Sequence, residues 1–196
     1  NRDLLQRLPQ GCLQLPLDPR WQAKVLIPAK CKIMSSKMAP LWLVFENADE
    51  LGPPLYVIFK AGDDLRQDIL TLQILRFMDE VWLKADIDLH LSPYNVIATG
   101  MTDDFKGCGF IQVVLNSQTT AGIQREFGGG ASGAFQENTI YEFLIQHNTT
   151  KEYLERATVN FRGSCAGYCV ATYIFGIGER HNVNIMVIND GLLLHI

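Results

Sequence analysis

Close to the end of the sequence, Glu179-Arg180-His181-Asn182 and Asn184 stand between two apolar stretches, SCAGYCVATYIFGI before them and IMVINDGLLLHI after. A carboxylate, an imidazole and a carboxamide so near one another supply a proton carrier and oxygen donors for a hard cation. Glu179 lies five residues before Asn184 and His181 three before it, so both reach one site from a tight loop. The plainer alternative is a loop that commits these groups to its own hydrogen bonds, and spacing alone leaves both open.

Lys60 is the second candidate. It closes an apolar strand, PLYVIFK, where a lysine ordinarily snorkels to solvent. The strand runs directly into Asp63-Asp64 and a helix with Asp68 in its first turn. An ammonium that reaches a nucleotide's phosphates needs a carboxylate to hold it, and a strand lysine with a helix aspartate supplies that pair. The turn Ser35-Ser36-Lys37 joins two further strands and offers hydroxyls, N–H groups and a cation, although most such turns are solvated surface. Gly128, Gly130 and Gly133 match G-x-G-x-x-G but follow a polar helix-like segment, TTAGIQRE. They read as a flexible connection, since a dinucleotide fingerprint follows a strand. Protein kinases set out their acid–base and metal groups as H-R-D-x-x-x-x-N; here the order is inverted to Glu-Arg-His before Asn184.

These groups need a scaffold, and the apolar pattern predicts one. CKIMSSKMAPLWLVF reads as strand–turn–strand limited by Pro40, and PLYVIFKAGDD as a third strand turning at Gly62. From about Asp64 to Lys84, the spacing of Leu65, Ile69, Leu72, Leu75, Met78 and Trp82 predicts a helix, opened by Asp64 and Gln67 as a capping box. NVIATGM and GFIQVVL follow as strands, the second apolar at almost every position as if buried on both faces. Beyond Leu115, helices are expected at NTIYEFLIQHN and KEYLERATVNF, then a separate, fully buried one at SCAGYCVATYIFGI. Asn189-Asp190-Gly191 between apolar runs signals a closing hairpin. A linker with a short strand over residues 1–30 leads into a strand-rich part over 31–114, and a helix-rich part follows over 115–196.

The 196 residues suffice for one large domain or two small lobes, and 47% hydrophobic with 19% charged is a globular composition. No apolar run is long enough to cross a bilayer, and a net charge of −4 argues against nucleic acid as a partner. Cys12, Cys31, Cys108, Cys165 and Cys169 contain no Cys-x-x-Cys and no cysteine–histidine cluster. They read as reduced core residues of an intracellular protein. A first residue other than methionine is read as the start of an internal piece of a longer chain.

In IMSSKMAPLWL, IFKAGDDLRQDILTLQIL, SCAGYCVATYIFGIGERHNVNIMV and GLLLHI, the sequence resembles the kinase domain of phosphatidylinositol 3-kinases, class I catalytic subunits most of all, from about Leu4 to its end. GDDLRQD together with RHNxNIM is specific to lipid kinases and their protein-kinase relatives. The resemblance implies an α+β, bilobal, protein-kinase-like fold: an antiparallel-sheet N-lobe, a hinge at 111–115, and an incomplete helical C-lobe with a catalytic loop at 178–184. It implies transfer of the ATP γ-phosphoryl group to the 3-hydroxyl of phosphatidylinositol lipids, with Mg2+. Ser36 and Lys37 would then lie in a phosphate loop, Met34 and Trp42 would wall the adenine pocket, and Ile58 would pack on the base. Lys60 would contact the α-phosphate, oriented by Asp68, with Tyr94 lining a deep pocket beside Asp68. Ile111 would be the gatekeeper, with Gln112, Val113 and Val114 in the hinge and Met186 as the pocket floor. Gln112 and Val114 would bond adenine through their backbones. His181 would serve the inositol hydroxyl in a loop shared with Glu179 and Arg180, and Asn184 would bind Mg2+.

The same resemblance implies a phosphoinositide at a membrane surface as substrate and peripheral recruitment of a cytoplasmic protein. For the full-length parent it implies an adaptor subunit and a small GTPase. Two residues depart from the family pattern. Glu179 stands where aspartate is usual, and one extra methylene is expected to cost about a hundredfold in rate. Gln112 stands where glutamate is usual and is expected to be nearly silent. In the family Asp-Phe-Gly, with a second metal anchor, follows the position of Ile196, so this piece alone is expected to be inactive. The competing readings are a phosphatidylinositol 4-kinase, a related protein kinase and, from another class, a nucleotide-binding scaffold whose catalysis Glu179 impairs.

Overall fold

A computed structural model of the chain describes residues 12–36, 38–101, 106–128 and 137–196. Two compact units divide the chain: Asn1–Leu72 with Tyr94–Val113, and Gln73–Pro93 with Val114–Ile196. The class is α+β, as expected.

The first unit is built on one antiparallel sheet of seven strands: β1 (Leu13–Gln14), β2 (Gln22–Leu26), β3 (Lys32–Ile33), β4 (Leu41–Asn47), β5 (Leu55–Ala61), β6 (Val96–Met101) and β7 (Gly107–Gln112). Their order is β1-β2-β4-β5-β7-β6, with β3 paired to β4 as a side branch. Alternation sends every second residue to one face, and that face gathers Phe45, Leu55 and Val57 with Leu15, Leu17 and Ala23 into a core. Phe59 and Phe110, opposite each other, add a tilted ring pair at 5.1 Å. The first thirty residues thus give two strands and three core side chains, more than the short strand expected of them.

The predicted strand–turn–strand forms as β3 and β4, with Lys32 opposite Trp42 and Ile33 opposite Leu41. β7 runs between β5 and β6, yet only Gly109 on it is fully buried. One face of that strand packs into the core and the other stays half open, so its unbroken apolar run does not mean two covered faces.

Helix α1 (Arg66–Lys84) starts two residues later than predicted. The capping box does not form: Asp64 accepts the Arg66 N–H at 3.1 Å and grips the Arg66 guanidinium at 2.6–3.0 Å. That pairing, first through the guanidinium and then the N–H, holds the Asp64 carboxyl at about 2. Leu65, Leu72 and Leu75 form the buried stripe.

The second unit combines a three-stranded sheet with helices. β8 (Ser117–Thr119), β9 (Ile185–Ile188) and β10 (Leu193–His195) pair in the order β10-β9-β8. Helices α2 (Thr120–Phe127), α3 (Thr139–His147) and α4 (Lys151–Ile174) surround a core of Ile123, Phe143, Leu144, Ala157 and Val187. Where two helices were predicted there is one, α4, of 24 residues, opened by the Thr150 hydroxyl on the Tyr153 N–H. It is not fully buried. Tyr173 is 80% exposed and Ile174 60%, while Ser164, Gly167, Tyr168 and Ala171 line the covered side. Gly163 and Gly167 face the incoming segment at Leu89–Leu91, where a Cβ would press on His90 and Leu91.

The predicted hairpin is β9–β10, fastened to its helices by polar groups. The Asn148 amide donates to the Asn189 carbonyl at 2.7 Å, and the Asn160 amide to that of Asp190 at 2.9 Å. The buried Ser164 hydroxyl accepts the Leu193 N–H at 2.8 Å. Gly191, at φ +94°, lies so close to the Ala157 carbonyl that a Cβ would collide with it.

All five cysteines are free thiols, but Cys12 and Cys169 are exposed and so are not the core residues expected. Among the described residues no helix is long and apolar enough to cross a membrane. Lys37, Gly130 and Gly133 lie outside the described residues.

Candidate active site

In the first unit the sheet face opposite the core carries a row in register. Lys32 stands opposite Trp42, Trp42 opposite Ile58, and Ile58 opposite Ile111. Such neighbours share a face, so the row is a half-buried apolar strip. The Lys32 ammonium covers the Trp42 ring, 5.0 Å from its centre. Two residues beyond Ile58 on the same face comes Lys60, opposite Gly109. A Cβ on Gly109 would collide with the Ile97 carbonyl and crowd Leu65, so the strand beside Lys60 has to be bare.

Lys60 is half-buried and bonds Asp63 at 3.0 Å. Gly62, at φ +92°, turns the chain, and the N–H groups of Gly62 and Asp63 both donate to the Gly107 carbonyl, at 2.8 and 3.1 Å. β7 therefore sets the turn that holds Asp63 against Lys60. The expected orientation by Asp68 is not what the geometry gives, because Asp63 reaches the ammonium from the turn itself. Asp68 still feels it: burial raises the Asp68 carboxyl, the Lys60 charge pulls it back, and Asp63 and Asp64 push it up again. Tyr94 lies in the same field, its hydroxyl pushed up to about 12 by burial and then by Asp68.

The Gln112 side chain has a structural partner. The Gln112 N–H donates to the Asn95 carbonyl at 2.8 Å, and its side-chain oxygen accepts the Asn95 N–H at 2.9 Å. The amide thereby completes a ladder where β6 has not yet begun, one residue after Tyr94. Of its own backbone only the carbonyl could be offered to a ligand. Val113 is buried, and the Val114 carbonyl accepts the Ser117 hydroxyl at 2.6 Å. Met34, half-buried, donates its N–H to Pro40, and the exposed Ser36 donates its own to Met34.

In the second unit Met186 occupies the middle strand, between Thr119 and Leu194. The polar loop before it is held by its carbonyls. Glu179 O lies 3.0 Å from His195 Nε2. Asn182 O accepts the Thr120 hydroxyl at 2.8 Å and the Ala121 N–H at 2.9 Å, and Asn184 O accepts the Ile196 N–H at 2.8 Å. Within the loop, Asn184 donates its N–H to His181 O. Glu179, Arg180 and His181 are exposed, and among the described residues their side chains make no hydrogen bond or ion pair. Apart from the Asn182 amide, the loop's hydrogen bonds are made by its backbone, which leaves those three side chains for something else.

The structure thus collects the predicted residues into two arrays. Trp42, Ile58, Lys60, Asp68, Tyr94 and Ile111 belong to the first unit; Glu179, Arg180, His181, Asn184 and Met186 belong to the second. Asp63, Thr120 and His195 are the contributors that spacing did not show. No group of three or more His, Cys, Asp and Glu side chains is gathered for a metal ion among the described residues. A carboxamide and a carboxylate in one loop are nevertheless donors that suit Mg2+, which keeps several waters and relies on substrate phosphates.

Residues 54–196 match the family described as "Phosphatidylinositol 3- and 4-kinase". Over 184 residues, 94% of the chain and 10% of the relative, the sequence is 53% identical to "Phosphatidylinositol 3-kinase 3" of Dictyostelium discoideum. It is 52% identical to "Phosphatidylinositol 3-kinase 2" of the same organism over 93% of the chain and 10% of the relative. It is 40% identical to the human "Phosphatidylinositol 4-phosphate 3-kinase C2 domain-containing subunit beta" over 95% of the chain and 11% of the relative. The chain spans about a tenth of the length of these curated relatives.

Proposed function

Because the chain belongs to the phosphatidylinositol 3- and 4-kinase family, we propose that it carries the ATP site and the catalytic loop of a phosphatidylinositol 3-kinase. The observation that carries this reading is Lys60, held by a carboxylate at the end of an apolar strip, in a chain whose polar loop leaves the side chains of Glu179, Arg180 and His181 without a hydrogen bond or ion pair among the described residues.

In this function adenine lies against Trp42, Ile58 and Ile111, with Met34 and Met186 completing its surroundings. Its edge is read by the Gln112 carbonyl and the Val114 N–H, Val113 packing between them. Lys60 places positive charge on the α-phosphate, with Asp63 holding the ammonium, Asp68 acting on it through charge alone, and Tyr94 beside Asp68. Ser36 and Lys37 cover the outer phosphates. His181 takes the proton of the attacking inositol hydroxyl as its oxygen bonds to the γ-phosphorus and the bond to ADP breaks. Arg180 and Glu179 shape the charge around that step. Asn184 holds Mg2+, which when bound neutralises charge developing on the phosphates.

The 3-hydroxyl is favoured by the relatives, each of which is named a 3-kinase. The lipid substrate brings a cytoplasmic protein to a membrane surface peripherally, and the class I resemblance adds an adaptor subunit and a small GTPase as partners.

The test supplies the full-length gene product with ATP, Mg2+ and phosphatidylinositol vesicles and locates the new phosphate on the ring. Phosphate at the 3-position is expected. Phosphate at the 4-position moves the protein to the other branch of its family. The Glu179→Asp variant is run alongside and is expected to raise kcat, by up to about a hundredfold. A natural protein that binds ATP but phosphorylates no lipid, beside an active aspartate variant, would assign it to the scaffold class.

A further inference from the structure

We propose that Thr120 is a positioning residue for the catalytic loop, acting through the carbonyl of Asn182; the proposal rests on the kinase reading above. Asn182 lies between His181 and Asn184, the loop residues assigned to proton transfer and to Mg2+. Its carbonyl accepts the Thr120 hydroxyl at 2.8 Å and the Ala121 N–H at 2.9 Å, both from the first turn of α2. Its side-chain amide adds a longer bond, 3.3 Å, to Gln124 one turn on.

The first N–H groups of a helix have no partner inside it, so a loop carbonyl at that end satisfies one of them while being fixed by it. Thr119 caps the Gly122 N–H at 3.1 Å, which leaves the next hydroxyl, on Thr120, to turn toward the loop. The other two anchored loop carbonyls, Glu179 and Asn184, are held by His195 and Ile196, both from the end of the hairpin that follows the loop. Thr120 comes from 62 residues earlier in the chain and is the hydroxyl that ties the loop's middle to a different element. Because the side chains of Glu179, Arg180 and His181 make no hydrogen bond or ion pair among the described residues, these backbone anchors are what fixes the position of His181. An error of about 1 Å at a reacting group costs about a hundredfold in rate, whereas the contacts proposed for adenine and the α-phosphate are made largely outside this loop.

Thr120→Val keeps the shape and removes the O–H donor; Thr120→Ser keeps the donor. In the full-length gene product, with ATP and phosphatidylinositol vesicles, the valine variant is expected to lose about tenfold in kcat. Its KM for ATP stays within about twofold, and serine restores the rate. An unchanged kcat, a serine variant as slow as valine, or a KM that rises with the loss of rate would each overturn the proposal. Amide hydrogen exchange needs no turnover and separates this from failure of the kinase reading. Valine is expected to speed exchange at Ala121 and Asn184 about fivefold, and serine not to. Unchanged exchange overturns the clamp even in a protein that phosphorylates nothing. A protein without lipid kinase activity whose loop loosens as described overturns the function and keeps the clamp.

Discussion

Lys60 shows how a single residue can be legible in type and misjudged in company. A lysine closing an apolar strand before three aspartates announced an ion pair, but spacing does not choose among carboxylates. The tight turn at Gly62, fixed by Gly107, makes that choice for Asp63. The pair is partly open to water, and such pairs contribute about 0–1 kcal/mol. Lys60→Met is therefore expected to abolish lipid phosphorylation while shifting the melting temperature by only about 2 °C. Retained activity would remove Lys60 from the site. Asp68 behaves in the opposite way. Burial raises its carboxyl above the ordinary value, so the folded protein binds that proton more tightly than the unfolded chain does. Its contribution to stability then falls as pH rises from the unfolded value through the raised one, and the penalty persists at neutral pH. Asp68→Asn should raise the melting temperature at pH 7, with the gain shrinking toward pH 4, while turnover drops. A variant less stable at pH 7 would contradict this. The partner of Gln112 was illegible for a reason of distance: its side chain answers a backbone N–H 17 residues away, which no local pattern records.

At the scale of elements, strands and hairpin were readable because a period of two and Asn-Asp-Gly are local signals. The start of α1 and the continuity of α4 were not. The polar segment KEYLERATVNF and the apolar one after it differ in composition, and composition was taken for a break. Gly163 does not end the helix, because the Leu89–Leu91 segment packs against the space it leaves. At the start of α1 the Arg66 guanidinium won Asp64 from the cap. The hairpin's polar fastening carries two further expectations. Ser164→Ala leaves the Leu193 N–H without its buried acceptor and should destabilise by about 1–3 kcal/mol in denaturant titration. Gly191→Ala meets both a left-handed backbone and the Ala157 carbonyl and should destabilise by about 2 kcal/mol or more. If either leaves the midpoint unmoved, the hairpin is not held as described.

For the whole molecule, an α+β lipid-kinase fold was legible from four motifs, while the way the chain shares its residues between units was not. Gln73–Pro93 belong to the second unit although strands of the first precede and follow them in sequence. Chain order records neighbours along the backbone, and packing ignores it. Ligand linkage gives the test at this scale. ATP at a hundred times its Kd should stabilise the full-length gene product by about 2.7 kcal/mol. If Asn184 binds Mg2+, adding the ion should enlarge the ATP-induced melting shift, and Asn184→Ala should erase that increment alone. An increment that survives the substitution would place the metal on other residues.

Helix α4 meets the β9–β10 hairpin through Ala157, Asn160 and Ser164, and the Leu89–Leu91 segment through Gly163 and Gly167. Each residue of an α-helix turns the next by about 100°. The two sets of contacts are therefore locked in angular phase along one rod. A single residue inserted between Asn160 and Gly163 would carry Gly163, Ser164 and Gly167 about a quarter-turn away from the side that Ala157 and Asn160 share, so the hairpin contacts could not all be kept. Substitution can be absorbed at the positions between these contacts, but a change of length cannot. Functional relatives should differ between Ala157 and Gly167 in letters and never in count, and one with an insertion there must bend or bulge the helix to compensate.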